Sequence, residues 1–294
     1  MNVIFDTNSV YYLDSMLSYD EFELFKEKSK TGLHVFISPI TAIEMASRLK
    51  EKPLDFSRVQ QALKKLFDLN PSFLPDPELQ LTEYVLDTKL DPKDYGPWRE
   101  ILYTIKVAPD VTALESGFDD LTTLTRRSVN ISQIHSFRKK YETYYISDIE
   151  TPLKLIIPGF SARIAKGKHT RLQKGRIADF EKYLLSPNWT AQIKIMLINR
   201  TLLPLPIEQV KIDKIFERIR YFKKAYENLF LKIFQEGYIP NMKKKNDYND
   251  WHFNVYFHNA NDFIFVTSES NVLFKELLEN KRCIKIRDII HNSD

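Results

Sequence analysis

The opening run Asn2-Val-Ile-Phe-Asp6-Thr7-Asn8 constrains this chain more than any other stretch. Val3, Ile4 and Phe5 are apolar, largely β-branched, and have no polar position between them to make a helical face. That is the pattern of a short parallel strand hidden on both sides of an α/β sheet. Asp6 ends the strand. Ligands of open α/β sheets bind beyond the carboxyl ends of the strands, so a carboxylate there is aimed at the edge where such proteins work. Thr7, Asn8 and Ser9 are able to cap the helix that follows, whose apolar side would be Val10, Leu13, Met16 and Leu17. Taken alone, Asp6 reads more readily as a helix cap, and it is the further acids in comparable settings that favour the other reading.

The same punctuation recurs further along. His34 to Ile37 is a second apolar run, stopped by Ser38-Pro39. Pro39, with Thr41 and Glu44 at capping-box spacing, predicts a helix over 40–49, and Glu44 near its start is either a capping partner or a second acid at the same edge. Near the other end, Asn246-Asp247-Tyr-Asn-Asp250-Trp-His begins a helix. Asp247, Asp250 and Asn254 share one of its faces, though Asp247 could equally be its cap. Phe263 to Val266 is the most strand-like run of the chain; Thr267-Ser268-Glu269 follows it, before a helix predicted over 271–280 and a last strand over 283–286.

In a parallel sheet Asp6, Glu44, Asp250 and Glu269 would all fall on one edge. Two carboxylates about 5 Å apart repel by roughly 3 kcal/mol at an effective dielectric near 20, so gathering four requires cations. Oxygen ligands without cysteine or paired histidines select Mg2+ or Mn2+ over zinc. A pair of such ions is able to activate water and stabilise both oxygens of an in-line phosphoryl displacement.

Val3-Ile4-Phe5-Asp6-Thr7-Asn8, the helix with Glu44, Asn246-Asp247-Tyr-Asn-Asp250-Trp-His and Phe265-Val266-Thr267-Ser268-Glu269 resemble, in order, the four acidic motifs of PIN-domain nucleases. The resemblance implies a doubly wound parallel α/β sheet and metal-dependent hydrolysis of phosphodiester bonds, mostly in RNA, leaving 5′-phosphate and 3′-hydroxyl ends. It implies catalytic and metal-binding roles for Asp6, Glu44, Asp250 and Glu269, with Asp247 beside them, and supporting roles for Asn8 and Thr267. The fourth acid is a glutamate where aspartate is usual. The segment between the second and third acids is much longer than in compact members, as a helical insertion would make it.

That segment sets the expected organisation: a first part of the α/β domain over 1–115, a mostly helical insertion over 116–240, and the rest of the domain over 241–294. The clearest helices within it are 56–69, with Val59, Leu63, Leu66 and Phe67 on one face, and 208–234, whose apolar stripe reads as core packing. From Thr151 to Ala178 no acid answers Lys154, Arg163, Lys166, Lys168, Arg171, Lys174 and Arg176. Such a run is as readily a solvated face as a phosphate track, with Arg163, Lys166, Lys168 and Arg171 as the nucleic-acid-binding candidates.

Composition narrows the classes. With 43% apolar and 28% charged residues and 7 glycines, a long disordered or fibrous chain is excluded. A single cysteine, Cys283, excludes an internal disulfide and a cysteine-based zinc site. No apolar run reaches membrane-spanning length, and Asp6 interrupts the region where a signal peptide is apolar, so a cytoplasmic protein is expected. The leading expectation is a metal-dependent endoribonuclease acting through metal-activated water. The alternatives are a degenerate scaffold of the same fold that holds RNA or a protein partner without cutting, and a structure-specific DNA nuclease. A homodimer or an inhibitory protein partner is compatible with each.

Overall fold

The computed structural model describes residues 1–89, 91, 95–125, 130, 134, 136, 148–156, 177–200, 212–236, 246–258, 261–268 and 272–291. Among them the strands are β1 (Asn2–Phe5), β2 (His34–Ile37), β3 (Ser72–Phe73), β4 (Phe263–Val266) and β5 (Cys283–Ile284). They form one parallel sheet of order β3-β2-β1-β4-β5. The apolar runs predicted β1, β2 and β4 correctly. The two-residue β3, paired with Phe36 and Ile37, is too short to leave a pattern. The strand expected over 283–286 stops at Ile284, because Ile286, Ile289 and Ile290 recur at helical spacing and start the terminal helix.

The helices are α1 (Thr7–Ser15), α2 (Tyr19–Thr31), α3 (Pro39–Glu51), α4 (Phe56–Asp68), α5 (Pro77–Leu86), α6 (Trp98–Val107), α7 (Val111–Thr125), α8 (Ile177–Leu184), α9 (Pro187–Arg200), α10 (Ile212–Arg218), α11 (Arg220–Glu236), α12 (Asn246–Phe253), α13 (Lys275–Glu279) and α14 (Ile286–His291). Residues 272–274 form a 3₁₀ turn before α13, so the single helix expected over 271–280 is shorter and differently wound. On α1 the inward residues are Ser9, Val10, Tyr11 and Leu13; the helix ends before Met16, which faces solvent. The stripe predicted over 208–234 is buried from Ile215 to Phe234, but the chain turns at Ile219, between α10 and α11. Residues 208–211 lie outside the described ones.

Register explains how the sheet is covered. Ile4, Phe36 and Phe265 are level and share one face, while Phe5, Ile37 and Val266 share the other. Phe5 packs on Phe25 of α2 with ring centroids 6.0 Å apart. Phe265, on the opposite face, meets Phe253, Phe257 and Phe274 at 5.1, 5.9 and 4.8 Å.

The helix carrying Asp250 is held from behind by a stack of rings. Trp251 lies between Phe222 and Tyr226, at 4.7 and 4.6 Å and nearly parallel to both, and Tyr226 stacks in turn on Trp189 at 5.2 Å. The Trp251 indole N–H donates to the Phe222 carbonyl at 3.0 Å, which satisfies the ring's polar atom. The stripe of α11 is therefore core packing, and it anchors α12. Buried apolar residues from Val3 to Ile290 form one continuous cluster to which all three expected segments contribute. Among the described residues no helix is long and apolar enough to cross a membrane.

Candidate active site

Phe5, Ile37 and Val266 end their strands at the same level, so Asp6, Ser38 and Thr267 emerge side by side at the carboxyl edge. The edge is also where strand order reverses: the chain leaves β1 for β2 on one side and reaches β4 on the other. Open α/β sheets bind ligands at such a point.

Asp6 caps α1 with one carboxylate oxygen and holds Thr267 with the other. Its backbone is extended and its Oδ1 accepts from the Ser9 amide at 2.5 Å, capping α1. Its Oδ2 accepts from the Thr267 hydroxyl at 2.6 Å. The Asp6 amide and the Ser9 hydroxyl both donate to the Val266 carbonyl, at 3.3 and 2.7 Å, and bind the end of β4 to the start of α1. Asp6 is 7% exposed, which makes its two hydrogen bonds strong and its charge expensive to leave unmet.

Glu44 is not a capping-box partner. The cap of α3 is Ser38, whose hydroxyl accepts from the Thr41 amide at 3.3 Å, with Pro39 in the first turn. The Thr41 hydroxyl donates to the Phe5 carbonyl at 3.0 Å, and Glu44 lies in the second turn, where its Oε2 accepts from the Thr7 hydroxyl. Glu44 is thereby tied to the residue next to Asp6. Thr7 and Thr41 were missed as site residues; the signal was a hydroxyl beside each acid, at positions that also suit a cap.

One turn further along the same interface, Tyr11 lies under two guanidinium groups, Arg48 at 5.3 Å and Arg58 at 5.0 Å from the ring centroid. Arg48 also pairs with Asp55 at 2.5 Å. Burial pushes the Tyr11 phenol up to about 12, against the opposing pull of both arginines. Cys283 lies in β5, where burial first and the Asp6 charge second push its thiol up to about 12. At neutral pH it is protonated and a poor nucleophile.

The remaining candidates are less closely joined. Asp250 is half-buried on α12, and its carbonyl accepts from the Asn254 side-chain amide at 3.0 Å. Asn254 is fully buried and binds the end of its own helix, so it faces the interior. Asn8 is exposed in the first turn of α1. Glu269, the side chain of Asp247, and Arg163, Lys166, Lys168 and Arg171 lie outside the described residues. Lys154, the first basic residue of the predicted track, pairs with Glu150 one turn back at 3.1 Å and belongs to an ordinary solvated helix face. Among the described residues no group of three or more histidine, cysteine, aspartate or glutamate side chains is placed to hold a metal ion. Among the described residues, Asp6 and Glu44 are the acids joined to the switch point by the hydrogen bonds above, within a surround of hydroxyl and carbonyl oxygens.

The fold and these contacts define a class: a parallel α/β protein with a buried carboxylate, braced by hydroxyls, at its topological switch point. Comparison with protein-family models, with curated proteins and with solved structures finds no match.

Proposed function

We propose that this protein is a metal-dependent endoribonuclease of PIN-like, doubly wound architecture, working from the carboxyl edge of its sheet in the cytoplasm. The observation that carries the reading is the double use of Asp6, capped into α1 by one oxygen and held by Thr267 through the other, with Thr7 tying Glu44 alongside. Strand order adds support, since Asp6 of the first motif and Thr267 of the fourth flank the point where it reverses.

In this reading Asp6 and Glu44 hold Mg2+ or Mn2+, with Asp250, Asp247 and Glu269 completing the oxygen ligands. The bound ion supplies Lewis acidity and lowers the pKa of water. The protein's own part is orientation. Thr267 and Ser9 hold the Asp6 carboxylate in one rotamer, and Thr7 does the same for Glu44.

The test combines stability and chemistry. A metal that binds only the folded state at ten times its Kd stabilises it by about 1.4 kcal/mol, so manganese should raise the melting temperature. Asp6→Asn should abolish that rise. Because both Asp6 oxygens accept hydrogen bonds, the substitution should bring no compensating gain in the metal-free protein. Total RNA with manganese should yield 5′-phosphate ends in the wild type and not in Asp6→Asn. An identical metal response in the two proteins would overturn the metal site. A metal response without cleavage would leave a binding scaffold.

A further inference from the structure

A cleft of about 870 Å³ opens on the sheet face that carries Phe36. Phe36 and Phe263 form its floor, with ring centroids 4.9 Å apart and edge to face. Phe263 opens β4 and Thr267 follows it, so the far end of the floor is about 13 Å of strand away from Asp6. The floor is half-buried, although Val35, Ile37 and Phe265 beside it are buried. No helix among the described residues has covered this part of the sheet.

The walls are aromatic and pinned. Tyr84, Tyr95 and Tyr256 line the cleft with the two rings of the floor. Tyr84 donates to the Val255 carbonyl at 3.1 Å, Tyr256 to the Pro75 carbonyl at 2.8 Å, and Tyr95 to Glu83 at 3.1 Å. Their hydroxyls are thus anchored in the protein and their rings are fixed in place, which is how a preformed stacking site is built. The volume lies within the range of small-ligand sites.

Charge decides which ring-shaped ligand fits. Glu83, Asp87 and Glu217 line the cleft against Arg218 and Lys89, and Arg218 is tied to Asp87 at 2.5 Å. The charged form of His258 is disfavoured: burial, Arg218 and Arg282 all hold its pKa below the usual histidine value. An anion entering this cleft meets an excess of carboxylates.

We propose that the cleft binds an uncharged planar heteroaromatic ligand of nucleoside size, a purine nucleoside being the type, stacked among the rings of Phe36, Tyr84, Tyr95 and Phe263. This proposal does not rest on the nuclease reading.

Isothermal titration with adenosine and guanosine, and with their 5′-monophosphates, tests it on the full chain. At least one nucleoside should bind with a submillimolar Kd and its monophosphate several-fold more weakly. Thr88→Trp places a large ring at the exposed rim of the cleft and should weaken nucleoside binding by about tenfold or more. Tyr95→Ala, which removes one wall, should do the same by about tenfold from lost stacking. Glu217→Lys, at an exposed position of the lining, should narrow the gap between nucleoside and monophosphate. Melting curves establish that each variant is folded. No binding of either nucleoside, a monophosphate that binds better than its nucleoside, or nucleoside affinity indifferent to both Thr88→Trp and Tyr95→Ala would each overturn the proposal.

Discussion

Thr267 donates its hydroxyl hydrogen bond to Asp6 at 2.6 Å across 261 positions of sequence, joining the end of β4 to the end of β1. Both residues are buried. A hydrogen bond to a buried carboxylate is worth about 1.5–3 kcal/mol, so Thr267→Val, which keeps the shape and removes the hydroxyl, should cost about 2 kcal/mol in urea unfolding. Thr267→Ser should recover most of it. Equal stability of the valine and serine variants would show that the bond contributes nothing.

Tyr11 presents the opposite case. Its hydroxyl is buried and makes no hydrogen bond among the described residues. An unsatisfied buried polar group costs about 1–3 kcal/mol, so Tyr11→Phe should leave stability unchanged or raise it by up to about 1 kcal/mol, with both arginines still stacked on the ring. A loss of more than about 1 kcal/mol in the same denaturation assay would reveal a partner for the hydroxyl.

Glu227 links stability to pH. Burial raises its carboxyl, but hydrogen bonds from Lys223 and Lys224 at 2.8 and 2.9 Å outweigh it and leave the native value below the ordinary 4.5. A depressed carboxylate stabilises the fold above its ordinary pKa, and that contribution disappears as pH falls through the native value. Glu227→Gln should therefore cost about 1.5 kcal/mol at pH 7, with the gap to wild type closing as the pH falls below the ordinary carboxyl value of 4.5 and through the lower native one. Paired melting curves across that window check the sign; a gap that widens in acid would refute it.

Trp251 should be the costliest single truncation near the candidate site. It is fully buried between Phe222 and Tyr226, so Trp251→Ala should destabilise the protein by about 3–5 kcal/mol, and Trp251→Phe by less because a stacked ring survives. Under the proposed function, activity should fall further than the folded fraction, because Asp250 is the neighbour of Trp251 on α12. Circular dichroism beside an RNA-cleavage assay separates the two effects.

Much of this arrangement follows from sequence alone, for a local reason. Val3 to Phe5 and Phe263 to Val266 are too apolar to lie anywhere but inside, and an acid or hydroxyl directly after each falls at the carboxyl end of its strand. Pro39 and the spacing of Val59, Leu63 and Leu66 placed α3 and α4 without tertiary information. What only the tertiary structure decided is pairing between distant segments. Nothing near Glu44 indicates that Thr7 rather than Thr41 would reach it, and its spacing from Thr41 suggested a capping box that Ser38 in fact supplies. Strand order, the two-residue β3 and the open cleft beside Phe36 likewise arise from which faces the helices cover. Periodicity reports whether a side chain is buried. Which partner buries it is settled only when the whole core closes, because many apolar surfaces would satisfy the same pattern and a hydrogen bond selects among them only at contact distance.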